Sequence, residues 1–320
     1  MPQGMSVCQV AFSVLDLDAT MSWYRDVFGF VATGGQTDQG GAEAAAMQGL
    51  PACRCDMAWL VDRQDFFQLE FFRYADPEPR PRRPDALVSD IGYAVVGLHV
   101  QDFDAVLGRL SAFGTTPVAP VVGAAPNRRV GVRDPEGVHV EIMEDDVRAS
   151  GGALPAVTRP AIPVATRFVR LVVDDLAAAR GFLVDVLRLR PADVTLHGPE
   201  HSALWGEDTT TDTVLLWAGD FLVELVHHVT PPSRPRPEGY RISDQGLLNV
   251  ALGSRAVRDY RTLVSGIPEG TDEIVVHHEM EMGSAVVRYL TGPGGISVEV
   301  LAIPDPEIER AAGFRPAGRD

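Results

Sequence analysis

Four glutamates stand inside otherwise apolar runs: Glu70 in "FFQLEFF", Glu141 in "GVHVEIM", Glu224 in "FLVELVHH" and Glu299 in "GISVEVL". Runs of this length and alternation read as strands. A carboxylate on such a strand is costly unless it is exposed, paired or bound to a metal. His139 lies two residues before Glu141, so both side chains leave the strand on one face. Imidazole titrates near neutral pH and can act as a general acid or base, although a histidine on a half-buried strand explains the pattern slightly better. Gln68 shares a face with Glu70, and His228 with Glu224. Carboxylates and an imidazole in these settings can hold a cation or move a proton. Cys53 and Cys55 share a strand face, but no second cysteine pair accompanies them, so they read as core residues or free thiols rather than zinc ligands.

The elements that must position these residues recur. In "CQVAFSVLDLDATMSWYRDVFGF", Val10, Phe12 and Val14 alternate with polar or small residues as a strand does. Asp16 or Asp18 can cap a following helix whose apolar face is Met21, Tyr24 and Val27/Phe28, and Gly29 can end it in the left-handed conformation. Two strands follow, "RCDMAWLV" and "FFQLEFFRY". The same order returns at 92–144, 166–228 and 246–303. The connector "RPRRPDALVSDIG" (80–92) matches "RPRPEGYRISDQG" (234–246), which implies that the chain is a duplicated half. A Pro/Gly-rich stretch at 149–164 reads as the linker between halves. The arginines of the connectors read as solvated, with an anion clamp as the alternative.

Composition narrows the classes. A net charge of -16 argues against a nucleic-acid partner. Every basic residue is arginine, which excludes Schiff-base chemistry on lysine. No apolar run approaches the ~20 residues of a membrane span. The N-terminal stretch lacks the regions of a signal peptide, so a cytoplasmic location is expected.

Four strand-helix-strands units, with "SWYRDVFGF" after the first strand and "DPEGVHVEI" before a last strand, resemble the vicinal oxygen chelate superfamily. That group includes glyoxalase I, extradiol dioxygenases and bleomycin-binding proteins. The resemblance implies an α+β fold of four βαβββ modules in two domains, here 5–146 and 165–303, with a linker at 147–164 and a tail at 304–320. It also implies that ligands come from the first and last strand of each module. The first-strand positions are then Gln9, Val95, Phe168 and Asn249, and the last-strand positions are the four glutamates. Glutamine holds this first-strand place in some glyoxalases, whereas Val95 stands where a histidine is usual.

With consecutive modules paired, the resemblance places a metal on Gln9, Glu70 and Glu141, with Glu141, His139 or Glu70 as catalytic groups. Phe168, Glu224, Asn249 and Glu299 form the second-half equivalents, expected to hold no metal. All-oxygen donors favour Mg²⁺ or Mn²⁺ over Zn²⁺, Ni²⁺ or Fe²⁺. No nucleotide cofactor is expected, and a homodimer is compatible with the arrangement. The implied activity is a metal-assisted lyase or isomerase acting on a small molecule with vicinal oxygens through an enolate-like intermediate. The alternative is a metal-free protein that sequesters a small molecule in a cleft lined by aromatics such as Phe12, Phe72 and Tyr93. A ring-cleaving extradiol dioxygenase fits less well, because Phe168 and Asn249 replace the histidines of that pattern.

Overall fold

The computed structural model describes residues 4–148, 159–268 and 273–316. The first module contains β1 (Ser6–Ser13), α1 (Leu17–Trp23), β2 (Val31–Gly40), α2 (Ala42–Gln48), β3 (Arg54–Val61) and β4 (Gln68–Asp76). The second contains β5 (Gly92–Val100), α3 (Phe103–Ala112), β6 (Arg129–Arg133) and β7 (His139–Met143). The third contains β8 (Val164–Val172), α4 (Leu176–Gly181), a short β9 (Arg190–Pro191), β10 (Thr210–Ala218) and β11 (Phe221–Thr230). The fourth contains β12 (Gly246–Ser254), α5 (Val257–Val264), β13 (Val275–Met282), β14 (Ala285–Gly292) and β15 (Ile296–Ala302), followed by α6 (Pro306–Ala311) within the expected tail.

Local chemistry sets the strand-to-helix turns. Asp16 caps α1 by accepting from the Ala19 N–H at 3.0 Å, and Asp102 and Asp175 repeat the bond to Ala105 and Ala178. Each such cap stabilises its helix by about 1 kcal/mol. The fourth module lacks the aspartate, and Ser254 Oγ instead accepts from the Ala256 N–H at 3.0 Å. After α1 the chain runs on as one π-helical turn over Tyr24–Phe28 and stops at Gly29 with φ 82°. Tyr24 then packs on Phe12 and Phe71, which stack at 4.9 Å, in the core outside the concave sheet face. No helix among the described residues is long and apolar enough to cross a membrane.

The sheets do not pair modules consecutively. One has the order β13-β14-β15-β12-β1-β4-β3-β2, joining the first and fourth modules. The other has β6-β7-β5-β8-β11-β10-β9, joining the second and third. The expected division at 147–164 therefore falls within a sheet, because β7 and β8 both flank β5; residues 149–158 of that linker lie outside the described residues. The physical reason lies in the proline-rich connectors. Such segments favour extended conformations that carry the chain away rather than turning it back. Each takes the chain from one sheet to the other, and the two clasp reciprocally. Arg80 pairs with Asp244 at 2.6 Å and Arg234 with Asp90 at 2.6 Å. The Gln245 N–H donates to Arg80 O, and the Ile91 N–H to Arg234 O. The matched loops noted in the sequence are thus the two halves of one clasp.

Candidate functional site

Register places the chemistry in rows across each concave face. In the sheet of modules one and four, Tyr289, Glu299, Ala251, Gln9 and Gln68 face one another on successive strands. The adjoining row is Asn249, Ala11, Glu70 and Trp59. Ala11 and Ala251 leave the floor open between the polar groups. A register irregularity between Val7 and Gln9 falls just before the site, where bulges commonly re-aim a side chain.

Gln9 Nε2 donates to Glu70 in a short contact and lies 3.3 Å from Glu299 Oε2. Trp59 Nε1 donates to Glu70 Oε1 at 2.9 Å, and Gln68 Nε2 to Gln9 Oε1 at 2.9 Å. All of these groups are buried. Burial drives both carboxyls above their ordinary range. For Glu70 the Trp59 and Gln9 bonds oppose the rise; for Glu299 the nearby Glu70 adds to it and Tyr289 opposes it. At this cleft, Gln68 Oε1 and both polar atoms of the Asn249 carboxamide make no hydrogen bond of good geometry. Beside the polar cluster is a cavity of about 330 Å³, lined by Met47, Met57, Phe72, Met280, Met282 and others. No arginine or histidine lines it among the described residues.

The sheet of modules two and three uses the same positions differently. Its rows are Glu141, Gly97, Phe168, Leu222 and His139, Val95, Arg170, Glu224. Phe168 replaces Gln9, and its ring occupies the space a Cβ would need at Gly97. Arg170 replaces Ala11 and bonds Glu224 at 2.7 Å. His197, on a segment that covers this face, bridges the carboxylates, with Nδ1 2.7 Å from Glu224 and Nε2 2.9 Å from Glu141. Arg129 bonds Glu141 at 3.0 Å. Burial alone would raise Glu141, but His197 and the arginines hold it down at about 2. Glu224 is likewise driven below the carboxylate range against burial, by Arg170 and His197. Burial disfavours the His197 cation, yet the two carboxylates raise it to about 9.

The structure therefore brings Gln9 and Glu70 together but joins them to Glu299 and Asn249, not Glu141. Glu141 belongs to the other sheet and is satisfied by cations there. His139 is also on that sheet, edge-on to Trp205, and is kept neutral by burial and by Arg82 and Arg133, with a pKa of about 3. Of the three aromatics expected in a binding cleft, Phe72 lines the cavity, Phe12 is in the core, and Tyr93 lies at a different cavity. Trp59, Tyr289 and His197 were missed. The first two sit directly across from glutamates and needed only the correct register, whereas His197 comes from an irregular segment with no periodic signal.

Among the described residues no group of three or more His, Cys, Asp or Glu side chains is placed to hold a metal ion. The oxygen donors at the first cleft nonetheless fit a hard cation. It has two buried carboxylates with no cationic partner among the described residues, and three carboxamides, those of Gln9, Gln68 and Asn249.

Residues 8–132 match the model of the Glyoxalase/Bleomycin resistance protein/Dioxygenase superfamily. No curated protein matches the chain. Among solved structures, glyoxalase I from Zea mays is 14% identical, with 97% of this chain and 96% of that chain covered and a TM-score of 0.63. A putative dioxygenase from Bacillus subtilis is 15% identical, with 99% and 92% covered and a TM-score of 0.63. At these identities the likeness is one of fold.

Proposed function

We propose, from the match of residues 8–132 to the glyoxalase/bleomycin resistance/dioxygenase superfamily model, that the first cleft is a metal-assisted lyase or isomerase site for a small, largely apolar molecule with adjacent oxygens. The observation that carries this is the convergence of Gln9, Glu70 and Glu299 beside an apolar cavity, with Asn249 across the small floor residue Ala11. Gln9, Glu70, Asn249 and Glu299 would hold the cation. For Gln9 to offer its oxygen, its carboxamide turns over. The Gln68 carboxamide, whose Nε2 now donates to Gln9 Oε1, turns with it, so that its Oε1, now without a partner, accepts the displaced N–H. All-oxygen donors favour Mg²⁺ or Mn²⁺. When bound there, such a cation would supply polarisation of vicinal oxygens and so lower the cost of enolate charge.

The chain's own residues supply the rest. Trp59 fixes Glu70 in place and favours its ionised form. Glu299 has fewer partners and a raised proton affinity, which suits it to take a proton from carbon and return it to a neighbouring atom. The methionines adapt to the apolar body of the substrate. Both carboxylates are buried, which strengthens each electrostatic contact.

The test is proton exchange at carbon. Metal-loaded protein is incubated in D₂O with a panel of neutral α-hydroxyketones and α-hydroxyaldehydes, and C–H loss is followed by NMR. Exchange that depends on Mn²⁺ and disappears in Glu299→Gln supports the reading. Saturable binding of these compounds without exchange, unchanged by metal, favours the sequestering function instead. That second reading draws on the same methionine-rich cavity.

A further inference from the structure

The two clasped connectors and the starts of β5 and β12 line an open cavity of about 210 Å³, apart from the cation site proposed above. Its wall includes four arginines, Arg80, Arg82, Arg83 and Arg236. Arg80 has the carboxylate of Asp244. The Arg82 guanidinium donates to the Gly137 carbonyl at 3.0 Å and lies 3.5 Å from neutral His139. Arg236 donates to the Gly295 carbonyl and stacks on the Tyr240 ring at 4.8 Å. Arg82, Arg83 and Arg236 therefore make no ion pair among the described residues, in a chain of net charge -16 where carboxylates are plentiful. Space for Arg236 is built into the backbone: a Cβ at Gly92 would meet its Nε at 3.3 Å, and one at Gly295 its Nη1 at 2.7 Å. Both glycines have positive φ, 129° and 74°, a conformation other residues adopt poorly.

The wall also carries Asp90 and Asp244, which pair with Arg234 and Arg80, and a set of aromatic and apolar groups. Tyr93 is tethered by its hydroxyl to Ser297 O at 2.9 Å, and Leu247 and Ile91 lie beside it. Guanidinium forks recognise carboxylates in two-point geometry, and an aromatic shelf accepts a planar body. We propose that this cavity binds a small aromatic carboxylate, its charge held by Arg82, Arg83 and Arg236 and its ring against Tyr93 and Tyr240. Both halves of the duplicated chain contribute, so the site exists only because the connectors cross.

Calorimetric titration of the full chain with benzoate, and separately with inorganic phosphate, tests it. Saturable benzoate binding is expected, with phosphate weaker. Arg236→Gln and Arg83→Gln should each weaken benzoate about tenfold or more, the scale of a lost charge-assisted bond. Arg258→Gln, at an exposed site on α5, should leave it unchanged. Arg83 makes no side-chain bond recorded among the described residues, so its variant remains informative if Arg236→Gln misfolds. Glu299→Gln should still bind benzoate, which separates this cavity from the catalytic reading. Absence of saturable benzoate binding at millimolar concentration, phosphate binding as tight as benzoate, or wild-type affinity in both arginine variants would overturn the proposal.

Discussion

Replacing His197 by glutamine should destabilise the protein at neutral pH, and the penalty should fade in alkali. His197 bridges Glu141 and Glu224 at 2.9 and 2.7 Å, and its pKa rises to about 9 although burial opposes the charge. Against an ordinary histidine value of ~6.5, this corresponds to about 3 kcal/mol. The folded value is the raised one. The contribution is therefore complete below the unfolded pKa and is lost as pH rises through about 9. Urea denaturation of wild type and His197→Gln, from about pH 6 to about pH 10, measures it as a difference. Glu70 and Glu299 also titrate abnormally, but both proteins contain them, so their effect cancels if the two clefts act independently. A difference that stays constant across the range would refute the reasoning, as would a variant equal to wild type at neutral pH.

Ala11→Arg should copy the second cleft into the first, because Ala11 faces Glu70 as Arg170 faces Glu224. Metal content should vanish while near-UV circular dichroism stays native. Asn249→His should turn metal preference toward Zn²⁺ or Ni²⁺ in competition assays, since imidazole suits those ions better than an amide does. Trp59→Phe removes the N–H that bonds Glu70 at 2.9 Å and should cost the metal-free protein about 1.5–3 kcal/mol where Glu70 is ionised. NMR titration should show the Glu70 carboxyl moving still higher.

The strands, the helix caps and the duplication were legible because each has a local signature. Asp16, Gly29 and the alternation of Val10, Phe12 and Val14 report their own conformations, and the structure has them as expected. Gln9 and Glu70 were also legible as neighbours, because they sit on strands of one module. Which distant module would complete the cleft was not. That depends on where an extended proline-rich connector sends the chain, and adjacency in sequence favoured the other pairing. The contrast between the clefts was present in the residues, as Ala11 against Arg170 and Gln9 against Phe168, but it acquires meaning only with the register. β2 is glycine-rich and exposed, and carries little of the apolar alternation that marked the other strands.

The central claim is that the hard-cation site joins the first and fourth modules. Mn²⁺ titration of metal-stripped protein, followed by electron paramagnetic resonance, tests it on two variants side by side. Glu299→Gln should lose tight Mn²⁺ binding, and Glu141→Gln should retain it, because Glu141 is already neutralised by His197 and Arg129. Loss of Mn²⁺ in Glu141→Gln with retention in Glu299→Gln, or a wild-type protein that binds no Mn²⁺, would contradict the account.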